Sequence, residues 1–80
     1  MFLEILTPEK KLYAGEVDSV QLPGTKGLFE ILKKHAPIIS TLDKGRIRVI
    51  ERSKRMLYIE IGGGVVESKN ERIIVLAEPA

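Results

Sequence analysis

Apolar and polar residues alternate along short stretches of this chain, and turn residues interrupt the alternation at short, regular intervals. Ile47 and Val49 stand opposite Arg46 and Arg48. Leu57, Ile59 and Ile61 stand opposite Met56, Tyr58 and Glu60, and Val20 and Leu22 opposite Ser19 and Gln21. A period of two places one set of side chains on a core and the other toward water, the signature of a half-buried strand. Turn signals separate the runs: Pro8–Lys11, Pro23–Gly27, Lys33–Pro37, Asp43–Gly45, Arg52–Arg55, Gly62–Gly64 and Lys69–Glu71. Strands spaced by turns roughly every 8–12 residues predict an all-β sandwich or barrel.

Two runs break the alternation. Ile73-Ile74-Val75-Leu76-Ala77 is apolar on both faces, which predicts a central strand or one whose outer face is covered. Phe2-Leu3-Glu4-Ile5-Leu6 also has apolar residues on both parities, and in so small a chain such a surplus is available to a partner. The stretch Leu28–Lys34 competes as a helix, but it is short and closes on Ala36-Pro37, so we expect two short strands there or one strand with a bulge. Arg52-Ser53-Lys54-Arg55 lies between alternating runs and reads as a hairpin turn.

Length and composition narrow the function. Eighty residues make a single domain, residues 1–80, whose small core leaves little room for a deep cleft. With 44% hydrophobic and 30% charged residues the chain is built to fold. The absence of cysteine excludes a disulfide framework and thiolate metal sites, and a single histidine excludes a multi-histidine site, so no metal or cofactor is expected. The longest uncharged run, His35–Leu42, is far shorter than the roughly 20 residues of a membrane span. The start, Met1-Phe2-Leu3-Glu4, has none of the marks of a signal peptide, so a location on the reducing side of the membrane is expected. The pI near 9.0 and the cations of Arg52–Arg55 raise the alternative of a small basic β-barrel that binds nucleic acid. Against it, the net charge is only +2 and the two signs interleave.

Candidate chemistry is sparse. Gly62-Gly63-Gly64 precedes the strand-like Val65-Val66-Glu67 rather than a helix, and no Gly-Lys-Ser or Gly-Lys-Thr occurs, so the triplet reads as a bulge or tight bend rather than a phosphate cradle. His35 has Ser40, Thr41 and Asp43 near it in sequence, but no nucleophile motif accompanies them, and the carboxylates are scattered. The four aromatics, Phe2, Tyr13, Phe29 and Tyr58, are too dispersed to stack bases, and Phe2 and Phe29 read as core or interface. The residues alone therefore indicate a non-catalytic β-domain that works by binding another protein.

An ordered set of motifs goes further. Thr7-Pro8-Glu9 with Tyr13-Ala14-Gly15-Glu16-Val17, then Leu22-Pro23-Gly24-Thr25-Lys26-Gly27, His35-Ala36-Pro37, Leu42 with Gly45, Ile61-Gly62-Gly63-Gly64-Val65-Val66-Glu67 and Val75-Leu76-Ala77-Glu78 together resemble the epsilon subunit of the rotary ATP synthase, over essentially the whole chain. The resemblance implies a flattened β-sandwich of about ten short strands. It implies a rotor subunit of the central stalk, one copy per complex, without an active site of its own. Such a subunit binds the gamma subunit and the ring of c subunits, and helps couple proton- or sodium-driven rotation to ATP synthesis. It would lie at the cytoplasmic face of the bacterial inner membrane, peripheral, with no insertion into the bilayer and no nucleic-acid partner.

Carried over by position, the ring-facing loop maps onto Gly24, Thr25, Lys26, Gly27, Leu28 and Phe29, and the gamma-facing side onto Thr7, His35, Ala36, Pro37 and Ser40, with Gly62, Gly63 and Gly64 structural. Where other members read Gly-Glu-Leu-Gly, this chain reads Gly27-Leu28-Phe29-Glu30, and Lys33-Lys34 replaces the Pro-Asn or Pro-Gly usual before His-Ala-Pro. Most epsilon subunits continue into a two-helix C-terminal domain. The sequence here reaches Glu78-Pro79-Ala80 without that hairpin, so inhibition by helix extension and ATP sensing are not expected of these residues.

Overall fold

The computed structural model describes residues 1–80, and every regular element in it is a strand. In chain order these are β1 (Phe2–Leu6), β2 (Lys11–Gly24), β3 (Gly27–Leu32), β4 (Ile38–Leu42), β5 (Gly45–Glu51), β6 (Met56–Ile61), β7 (Gly64–Lys69) and β8 (Arg72–Ala77). Each turn signal read from the sequence falls at a junction between consecutive strands. The eight strands are fewer than the ten or so expected, because β2 is a single strand of 14 residues. Its first half pairs with β1 and its second half with β3 and β5. A register shift between Val17 and Ser19 lets it bend from one layer into the other.

One layer runs β2-β1-β8-β7-β4, with β1 and β8 parallel and the other pairs antiparallel. The other runs β3-β2-β5-β6, all antiparallel. A single pair, Gly24↔Leu42, links β4 back to β2 and closes the structure on that side. The core between the layers holds 15 buried apolar residues, among them Leu3, Ile5, Val20, Leu22, Ile31, Ile47, Val49, Val66, Ile73 and Val75. These are the inward positions of the alternation. The molecule measures 26 × 23 × 18 Å, the flattened shape expected of two stacked layers.

Two local expectations need correction. Leu28–Lys34 is neither two strands nor a bulged one: β3 pairs with β2 in unbroken register from Gly27 to Leu32, because Phe29 and Ile31 alternate inward while Leu28 and Leu32 point out. Ser19, expected toward water, is buried, since its register partners Leu32 and Ile50 flank it, and its hydroxyl has no hydrogen-bond partner. The last strand, β8, is the central strand expected, and on its outer face Ile74 and Leu76 are 36% and 54% exposed.

Glycines set the bend between β6 and β7. Gly63 and Gly64 take φ of +127° and +152°, and a Cβ on Gly62 or Gly64 would run into the backbone of Pro79 or Leu76. The triplet is thus a tight strand-to-strand bend.

Tyr13 ties β2 to β5. Its hydroxyl donates to Glu51 Oε2 at 2.6 Å, and its ring lies over Gly15, where a Cβ would meet the hydroxyl oxygen at 2.9 Å. Burial, then the hydrogen bond to Glu51, then that carboxylate's charge push the phenol from 10.0 up to about 12. A raised folded-state value stabilises fully below pH 10.0 and is lost as pH rises through about 12. In Tyr13→Phe the difference from the parent, measured by urea unfolding, should be about 1 kcal/mol at neutral pH and should shrink toward zero across that alkaline window. A difference that stays constant to pH 12 would contradict the linkage.

Candidate functional site

The outer face of the layer β1-β8-β7-β4 is where apolar side chains meet water. Strand register lines up Ile39, Glu67, Ile74 and Glu4 in one row across it. Thr41, Val65, Leu76 and Leu6 form the next row. Ile39 is 75% exposed and Leu76 54%. Ile39, Val65, Ile74 and Leu76 border a shallow depression of about 190 Å³ with Glu67 at its rim. Glu4 is held by Lys11 at 3.1 Å and Arg72 at 3.7 Å, so the row ends in neutralised charge.

Two further depressions adjoin this face. The turn Thr25-Lys26 caps the β2–β3 hairpin, and Gly27, at φ +123°, completes it. The hairpin is pinned to the end of β4: the Thr25 amide donates to the Thr41 carbonyl at 3.1 Å, and the two hydroxyls lie 2.8 Å apart. Between hairpin and β4 lies an open cleft of about 570 Å³, bounded by Gly24–Phe29 and by Ile39, Ser40 and Thr41. On the other flank Leu76 borders a depression of about 340 Å³ together with Leu6, Thr7 and Pro8. Ile39 is common to the cleft and the central depression, and Leu76 to the central depression and the Thr7 flank. One strip of surface therefore runs from the hairpin to Thr7.

The fold gathers some of the residues singled out in the sequence and separates others. Thr25, Lys26, Gly27 and Leu28 are exposed at the hairpin, Leu28 at 68%. Phe29 is half-buried, and Gly24 is buried under it, where a Cβ would lie 2.8 Å from the ring; Gly24 shapes the hairpin. Ser40 lines the cleft and Thr7 the opposite flank. His35, Ala36 and Pro37 are exposed at the far end of β4, beside the β7–β8 turn. Only a partner that spans the whole face reaches both Thr7 and His35. Ile39 and Val65 were not singled out; their signal was the apolar doublets Ile38-Ile39 and Val65-Val66, the same double parity noted in the first and last runs.

The basic turn is largely neutralised. Arg52 pairs with Glu16 and Lys54 with Asp18, whose carboxyl is held below the usual carboxylate range chiefly by that hydrogen bond. Two of the three cations that suggested phosphate contacts thus already have partners.

The model of the ATP synthase delta/epsilon chain β-sandwich domain matches residues 1–80. The chain belongs to that family. Among its relatives, the ATP synthase epsilon chain of Desulforamulus reducens is 41% identical over 78 residues, covering 98% of this chain and 58% of the relative. The ATP synthase epsilon chain of Chlorobaculum tepidum is 38% identical over 76 residues, covering 95% of this chain and 86% of the relative. A chain of the Euglena gracilis mitochondrial ATP synthase, solved in a complex that includes the c-ring, superposes with a TM-score of 0.82 at 15% identity, over 94% of this chain and 48% of that one. This chain therefore spans about half to three-fifths of the length of the Desulforamulus and Euglena proteins. The delta/epsilon family's sandwich is the fold described above, with β2 serving both layers.

Proposed function

We propose that this domain is the stalk-binding part of an ATP synthase epsilon subunit, a non-catalytic element of the rotor. The outer face of β1-β8-β7-β4 docks the gamma subunit, and the hairpin Gly24–Phe29 faces the polar loops of the c-ring. The observation that carries this reading is the continuous strip of surface from the hairpin to Thr7, apolar at its middle where Ile39, Val65, Ile74 and Leu76 meet water. Exposed apolar surface framed by polar residues is what a protein partner covers, and the family relationship names the complex in which that partner is found. The domain then helps couple ion-driven rotation to ATP synthesis, one copy per complex, peripheral to the membrane on its cytoplasmic face.

The test is reconstitution. Purified chain mixed with the gamma subunit of the same organism should form a one-to-one complex at micromolar concentration, seen by sedimentation or gel filtration. Two folded partners that pass through the column separately would overturn the reading.

A further inference from the structure

The turn between β7 and β8 holds a glutamate where the backbone favours glycine. Lys69 and Arg72 pair across a two-residue loop, and both loop residues are left-handed, Asn70 at φ +52° and Glu71 at φ +62°. Hairpin turns of this kind take Asn readily at the first central position and usually Gly at the second. A side chain with a Cβ is strained there.

The Glu71 side chain makes a contact that glycine could not. Its Oε1 accepts the amide of Lys34 at 3.0 Å, and its own carbonyl accepts the amide of Phe2 at 2.9 Å. Lys34 is itself left-handed, at φ +64°. This is the one hydrogen bond outside the strand ladders between residues 33–37 and the rest of the fold. Beyond Lys34 the connection leads through exposed His35, Ala36 and Pro37 into β4, whose Ile39 borders the central apolar depression.

We propose that Glu71 is a positioning residue: a strained turn residue that clasps the Lys33–Pro37 connection in the shape the gamma subunit meets. The proposal rests on the docking reading above. Without the clasp the loop would be ordered only on binding, at a cost charged to affinity.

The decisive feature is that stability and affinity should move apart. Glu71→Gly relieves the left-handed strain and removes both the clasp and a loose 3.7 Å ion pair between Glu71 Oε2 and the Met1 ammonium, which Glu71→Gln also removes, so the pair of variants separates the two. Its melting temperature should equal or exceed that of the parent, the Lys34 amide should exchange with solvent faster by NMR, and gamma affinity by calorimetry should fall about five-fold, the size of one small ordering cost. Glu71→Gln keeps an acceptor at the same reach and should restore slow Lys34 exchange and parental affinity. Unchanged Lys34 exchange in Glu71→Gly would overturn the clasp. Faster exchange with undiminished affinity would overturn its role in docking. Stability and affinity falling together would reduce Glu71 to an ordinary structural residue. If the parent chain does not bind gamma, the docking reading and the binding half of this proposal fall together, while the exchange comparison still decides the clasp.

Discussion

Gly64→Ala is expected to lower the melting temperature by about 15–25 °C. Gly64 opens β7 at φ +152°, and a Cβ there would sit 2.9 Å from the Ala77 Cα and hard against the Leu76 carbonyl. Both obstacles are backbone of β8, so no side chain can swing aside. Relief requires β7 and β8 to separate at the Gly64↔Ala77 pair, and Gly64 is also paired with Leu42 of β4. Clash and strain together cost about 3–4 kcal/mol, and a domain of this size loses roughly 4–8 °C per kcal/mol. Gly27→Ala is the control. At φ +123° it suffers strain, but nothing lies within 4 Å of its Cβ, so a loss of only a few degrees is expected. Thermal melts followed by circular dichroism compare the two. A Gly64 variant melting within a few degrees of the parent would refute the close approach of the strands.

The second large effect concerns binding rather than folding. The double variant Ile39→Asp, Leu76→Asp should lose gamma affinity by at least about 100-fold, since two charges would be buried without partners at the centre of the docked surface. Its melting temperature should drop by less than about 5 °C, because both side chains point to solvent in the free domain, at 75% and 54% exposure. Tyr58→Asp on the opposite layer, where Arg46 lies 4.3 Å from the ring, should leave gamma binding unchanged. Equal affinities in the parent and the double variant would move the interface off this face.

What the sequence made legible follows from its local chemistry. Pro, Gly, Asn and Asp at the junctions marked every turn but Arg52–Arg55, which showed only as a break between alternating runs, since their backbone preferences act within a few residues. Alternation identified the inward faces of β5 and β6 and, at Val20 and Leu22, of the second half of β2, because burial there depends mostly on parity. The double parity of Phe2–Leu6 and Ile73–Ala77 marked an apolar surplus beyond what one core face can take, and its outward half is Leu6, Ile74 and Leu76. The misreadings depended on distant residues. Ser19 is buried by Leu32 and Ile50, which only the register brings beside it. The length of β2 depends on partners arriving from both ends of the chain. At Asn70-Glu71 the turn was readable, but the use of the Glu71 carboxylate was not, since its acceptor role involves Lys34 on another connection.

The parallel pairing of β1 with β8 bears on how the protein is made. Phe2–Leu6 lies in register with Arg72–Leu76, so β1 waits for the last of the eight strands before its sheet is complete. Pairings between such remote segments are slow to form, on the order of milliseconds to seconds. Until Arg72–Ala77 is in place, β1 has only β2 beside it, and Leu3 and Ile5 lack the strand that seals them in. Until β8 pairs with it, β1 therefore keeps an open apolar edge, the kind of site through which partly folded copies associate.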